Sequence, residues 1–208
     1  MTFHFLKTAL LLTLMFTLPI IVIRAQPYID PVIPALIQAD CPTPCFMGIR
    51  PGVTSMRESA EILDVHAWVA NGQADFPKEL RDAPFFDAVL RKTVIYWRWS
   101  DRLPDWIIGD YRGGMTIQDA RVLDMGIATR FTMGEVFLAF GSPTKVYFSA
   151  SKDGLRFQYT VWYAEQGIVV ITQGACPVVR AFDYPVQVVF VSNDPQISED
   201  SARNSVCG

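Results

Sequence analysis

The chain has 208 residues, half of them hydrophobic, with a formal charge of −3, four cysteines and two histidines. That is apolar material for one compact domain or two small ones fused, and it argues against a disordered chain. Acidic and basic residues are interspersed from Arg50 to Asp200, so no block creates the positive field that phosphate backbones require, which argues against a nucleic-acid partner.

Residues 1–25 read as an export segment. The run from Thr8 to Ile23 carries no charge, follows Lys7 and leads into Arg24-Ala25-Gln26, the layout of a secretory signal. It is longer than a usual signal core and shorter than the ~20 residues of a comfortable bilayer span. Two outcomes therefore stand: cleavage after Ala25, which Pro19 favours by breaking the helix upstream, or retention of residues 8–23 as a membrane anchor. Both place the remainder outside the cytoplasm, because Lys7 favours leaving the short N-terminus inside. His4 precedes the apolar run, so histidine chemistry in the folded part rests on His66 alone.

Residues 26–45 are proline-rich without a sustained period and read as an extended spacer. All four cysteines, Cys41, Cys45, Cys176 and Cys207, lie beyond the export segment; an even number in an exported chain points to two disulfides. Three pairings are open, of which Cys41 with Cys45 and Cys176 with Cys207 is preferred. The Cys41-Pro-Thr-Pro-Cys45 spacing is unlike a zinc knuckle and no second knuckle follows, so neither metal nor cofactor is expected.

Two stretches then echo one another. Ser55-Met56-Arg57-Glu58 and Thr132-Met133-Gly134-Glu135 both have the capping-box pattern, in which a hydroxyl accepts from the third backbone N–H and the glutamate reaches back. Gly-Ile precedes each, at Gly48-Ile49 and Gly126-Ile127, and an apolar helical stretch follows each. The first helix is expected to run through His66 and Trp68 to about Ala70; the second stops at Gly141-Ser142-Pro143. A further helix is expected over 77–91, interrupted by Pro84. In the first half strands are expected at 93–100, 105–111 and 115–123, with a turn at Gly113-Gly114. The second half has them at 145–150, 156–164, 168–173 and 186–192, with turns at Lys152-Asp153-Gly154 and Gln166-Gly167.

The expected fold is α+β: two tandem helix-plus-antiparallel-meander units, 46–124 and 125–193, forming a helix-on-sheet two-layer domain. A polar tail, 194–208, closes the chain. The stretches Gly48–Leu63 (GIRPGVTSMRESAEIL) and Gly126–Val146 (GIATRFTMGEVFLAFGSPTKV) resemble the small outer-membrane lipoprotein of the barrel-assembly machinery, the SmpA/OmlA type. Repeated twice in one exported chain, the pattern also resembles the β-lactamase-inhibitor protein. The resemblance covers about a fifth of the chain and implies a two-layer unit that binds another protein with its sheet face and does no chemistry. The lipid-bearing cysteine of the assembly lipoprotein has no counterpart here, since Asp40 stands before Cys41.

Candidate binding residues come from two aromatic clusters. Around Tyr96, Trp97, Trp99, Trp106 and Tyr111, strand alternation assigns Trp97 and Trp99 to the core and turns Tyr96 and Arg98 outward. Trp, Tyr and Arg dominate binding hot spots. In 156–163, Trp162 is the apolar residue on an otherwise polar side. Tyr96, Arg98, Trp106 and Trp162 are thus the candidates for an extracytoplasmic protein partner. No nucleophile elbow, zinc helix, phosphate loop or calcium loop occurs, so no catalytic residue is assigned. The alternative is a secreted hydrolase acting on glycans, with Asp101, Asp105 and Asp110 as carboxylates beside the tryptophans, which would need two of them across one cleft.

Overall fold

The computed structural model describes residues 2–25, 30–74, 92–151, 153–176 and 178–192. It divides into two compact bodies, residues 1–31 and residues 32–208. The first is a single helix, α1 (Thr2–Ala25), with Pro19 inside it. Its apolar side chains, such as Leu11, Met15 and Ile21, are exposed. Among the described residues, no helix is long and apolar enough to cross a membrane.

Among its described residues the second body is α+β: three α-helices, α2 (Val32–Leu36), α3 (Met56–Val65) and α4 (Met133–Phe140), and one open antiparallel sheet of eight strands. The strands are β1 (Val69–Ala74), β2 (Lys92–Trp99), β3 (Gly113–Gln118), β4 (Arg121–Thr132), β5 (Lys145–Ala150), β6 (Arg156–Tyr163), β7 (Ile168–Ala175) and β8 (Pro185–Val191). Their order across the sheet is β1-β2-β3-β4-β8-β7-β6-β5. Strands β1 to β4 and β5 to β8 thus form the two halves of the sheet, which meet at β4 and β8, in register from Asp124↔Val191 to Ala128↔Gln187.

α3 and α4 start at the expected hydroxyl caps, whereas α2 forms inside the stretch read as an extended spacer. Thr132 makes a complete capping box: its hydroxyl accepts from the Glu135 N–H at 3.2 Å and the Glu135 carboxylate accepts from the Thr132 N–H at 2.7 Å. At Ser55 only half the box forms, the hydroxyl accepting from the Glu58 N–H at 3.2 Å. Both helices turn their apolar stripes onto one sheet face: Met56, Ala60 and Leu63 of α3 and Met133 and Val136 of α4 join Trp97, Met115, Ile127, Val161, Val170 and Val188 in one buried cluster.

Five expectations need correction. α3 ends at Val65, with His66 as an extended cap, and the region read as its last turn leads into β1, because Trp68 and Val69 prefer a pleated, half-buried surface. Residues 105–111 form a loop with one isolated bridge, Ile107↔Thr129, and no strand. Gly113-Gly114 is the start of β3, opposite Trp97 and Tyr96. The single strand expected at 115–123 is instead split between β3 and β4 by a turn at Asp119-Ala120, both with positive φ, between the paired residues Gln118 and Arg121, the geometry of a two-residue hairpin. The spacer is partly built into the domain, since Val32, Leu36 and Cys45 are buried.

The second-half strands and turns fall within two residues of their expected ends, with Gly154 and Gly167 at positive φ in the two hairpins. Cys41 and Cys45 are bridged across a Cα separation of 5.9 Å. Cys176 is not free, while its expected partner Cys207, the helix over 77–91 and the tail 194–208 lie outside the described residues.

Candidate binding face

The helices pack against one side of the sheet, and alternation along each strand turns the other set of side chains away from them; that outer side is exposed over β2, whereas Thr160 of β6 and Val169 of β7 are buried on it. In β2 the outward set is Lys92, Val94, Tyr96 and Arg98, all exposed, while Ile95 and Trp97 are buried beneath the helices. Register carries Tyr96 across the sheet. It faces Gly114, which faces Gly126, then Val189, Val169, Trp162 and finally Lys145 at the edge. Two sequence candidates, Tyr96 and Trp162, therefore end one continuous row, five inter-strand steps or roughly 24 Å apart. Arg98 lies on the same side as Tyr96, one pleat further along β2.

The floor of this row is shaped by glycine. The Tyr96 ring lies over Gly114, where a Cβ would come within 3.1 Å of it, and the Gln187 amide lies over Gly126, 3.2 Å from the corresponding position. Two hollows flank this floor. The larger, about 280 Å³, is lined by Ile108, Tyr111, Arg112, Ile171 and Gln173 among others. The smaller, about 210 Å³, is lined by Val94, Tyr96, Thr116, Asp124 and Val189. Arg112, Gly126 and Gln187 belong to both. The loop that supplies Tyr111 and Arg112 is held by the Trp99 indole N–H, which donates to the Tyr111 carbonyl at 2.7 Å.

At the far end of the row, Lys145 Nζ sits 5.1 Å from the Trp162 ring centre, a cation–π contact. The Trp162 indole N–H is shielded from solvent and has no acceptor among the described residues. Next to this row, Gln173 donates to Gln158 at 3.0 Å and Gln158 to Thr160 at 3.3 Å, a polar ladder that satisfies the buried Thr160 hydroxyl. Burial raises the Asp124 pKa in the smaller hollow, against the lowering effect of its Thr116 hydrogen bonds and of the Lys92 charge.

Trp106 goes to the other side. Its ring stacks on Phe131 at 5.5 Å and stands edge-on to Phe46 and Trp68, packed against the core. The structure thus separates it from Tyr96, Arg98 and Trp162. Trp97 is wholly buried and Trp99 half-buried. His66 is a packing residue at the end of α3: its Nδ1 accepts from the Trp68 N–H at 3.2 Å, its ring lies edge-on to Trp68, and burial lowers its pKa.

Asp101, Asp105 and Asp110 are exposed in the loop after β2, and none lines either hollow. Among the described residues, no group of three or more His, Cys, Asp and Glu side chains is placed to hold a metal ion.

Sequence reasoning missed Lys92, Arg112, Gly126, Gln187 and Val189 as members of this face. Period-two alternation marks Lys92, Gly126, Gln187 and Val189 as outward in their own strands, and Arg112 stands at the entry to β3, but only the β4–β8 pairing brings the two halves of the face together. No protein-family model, no curated protein and no solved structure matches this chain.

Proposed function

We propose that this is a non-catalytic extracytoplasmic protein-binding module, of the envelope-assembly kind, which takes its partner on the open face of the sheet. The carrying observation is the outward row from Tyr96 through Gly114 and Gly126 to Trp162, exposed at Tyr96 and half-buried at Trp162, with small or aliphatic residues between. A shallow floor with aromatic rims suits a partner's backbone and side chains, and nothing on it resembles a nucleophile with its base.

The Cys41–Cys45 bridge supports an oxidising compartment. With it goes the export reading of residues 1–25, either cleaved after Ala25 or retained through residues 8–23. The tandem reading is part of the same proposal. Each half runs helix, then four strands, and the order β1-β2-β3-β4-β8-β7-β6-β5 is what a two-fold axis between β4 and β8 would produce. On that reading the halves join at Thr132, where β4 passes into α4, and the likeness to SmpA/OmlA-type and β-lactamase-inhibitor-type units is one of architecture.

The test is affinity capture from envelope and secreted fractions with wild-type protein and the Tyr96→Ala/Trp162→Ala double variant. A partner retained by the wild type and lost by the double variant is the expected result. Equal capture by both, or turnover of a glycan by the purified protein, would sink the proposal.

A further inference from the structure

The charges of this domain are sorted by layer, although the chain order interleaves them. The helix layer exposes Glu58, Glu61 and Asp64 on α3 and Glu135 on α4, against Arg57 alone. The outer side of the sheet carries Lys92, Arg98, Arg130 and Lys145, with Arg112 at the entry to β3. Its one strand carboxylate, Asp124, is half-buried with Lys92 acting on it. A chain of net charge −3 therefore presents a basic surface where its partner is proposed to sit.

We infer that the partner contributes an acidic extended segment, one of whose carboxylates enters the larger hollow beside Arg112, which no acidic residue lines, while its backbone lies across Gly114 and Gly126 and passes over the smaller hollow, where Asp124 sits. This rests on the open face being the partner-binding surface, and it adds the partner's chemistry. Opposite potentials across an interface set orientation and encounter rate. The hollows, about 280 and 210 Å³, are each smaller than the ~300–1,000 Å³ of a pocket built for a whole small molecule, and suit single side chains entering from a strand-like segment. A nucleic acid fits less well. Phosphate backbones need an unbroken positive field, whereas here the cations are spaced by Tyr96, Val189 and the glycines, and the layer behind them is acidic.

The experiment is a binding titration of the full-length protein with a short labelled oligoglutamate peptide, run beside an oligothymidylate of equal length. Oligoglutamate is expected to bind, to weaken as salt is raised, and to lose about tenfold in affinity, worth about 1.4 kcal/mol, with Arg112→Glu. Arg98→Glu should weaken it further, and Arg57→Glu on the helix layer should leave it unchanged. Arg112→Gln, which removes charge without reversing it, replaces Arg112→Glu if that variant misfolds. Failure of oligoglutamate to bind, indifference to the Arg112 variants, or tighter binding of oligothymidylate overturns the inference. If Tyr96→Ala/Trp162→Ala still abolishes capture of an envelope partner while oligoglutamate is ignored, the acidic segment falls and the binding face stands.

Discussion

Trp97 and Tyr96 are consecutive residues of β2 laid over consecutive glycines of β3, Gly113 and Gly114, on opposite sides of the sheet. A Cβ on Gly113 would fall 2.1 Å from the Trp97 ring, and one on Gly114 would fall 3.1 Å from the Tyr96 ring. The local device is the same: a ring shields a strand glycine that has no side chain of its own to pack. What differs is the cover. Trp97 is 0% exposed beneath the helices, while Tyr96 is 48% exposed on the outer face. One side of the pair therefore holds the fold together and the other is available to a partner, and substitutions at the four positions should separate stability from binding.

Trp97→Ala should have the largest effect, because it opens a ring-sized cavity in the centre of the core: a loss of about 4 kcal/mol, read from the midpoint and slope of urea unfolding. Gly113→Ala should come next. Its new methyl meets a ring that is locked between strand and helix, so the backbone must shift at a cost of about 2 kcal/mol. If Gly113→Ala unfolds with the wild-type midpoint, the ring is free to move and the core at β2–β3 is looser than its burial implies.

On the open side the order of effects should reverse. Tyr96→Ala should cost about 1 kcal/mol or less in stability, as surface positions do, yet weaken partner capture. Gly114→Ala meets the edge of a half-exposed ring that can swing aside, so it should cost under about 1 kcal/mol. Equal destabilisation by Tyr96→Ala and Trp97→Ala would erase the distinction between the two faces.

How far these faces could be read in advance depended on range. Short-range signals were legible: the hydroxyl caps at Ser55 and Thr132, the Asp153-Gly154 turn and the alternation that puts Tyr96 outside and Trp97 inside all act within a few residues. The Gly113-Gly114 pair misled, because a glycine pair signals a turn locally and only the partner strand supplies the rings that hold it extended. Asp119-Ala120 misled in reverse, since alanine rarely adopts the left-handed conformation that the hairpin imposes there. The candidate site was half legible. Tyr96, Arg98 and Trp162 follow from local pattern, but bringing them onto one face depends on β8 pairing with β4, a contact between segments far apart in the chain. Trp106, next to the same aromatic cluster in sequence, is carried to the core by the loop after β2.

The smallest expected effect concerns the one strand carboxylate of the open face. Burial raises the folded-state pKa of Asp124 above its ordinary value of 3.8. The folded protein then holds that proton more tightly than the unfolded chain does, so the group's stabilising contribution is complete below the ordinary value and is lost as pH rises through the raised one. At neutral pH the ionised carboxylate is a mild burden on the fold, partly relieved by Thr116 and Lys92. Asp124→Asn should therefore be slightly more stable than the wild type at neutral pH, with the two converging below the ordinary carboxyl range, as measured by urea unfolding at both pH values. Lys92→Ala should widen the gap by removing the charge that favours ionisation. An Asn variant that is less stable at neutral pH would mean that the Thr116 hydrogen bonds to the charged form outweigh burial. Asp124 would then be a stabilising anion of the basic face, competing directly with any carboxylate brought by a partner.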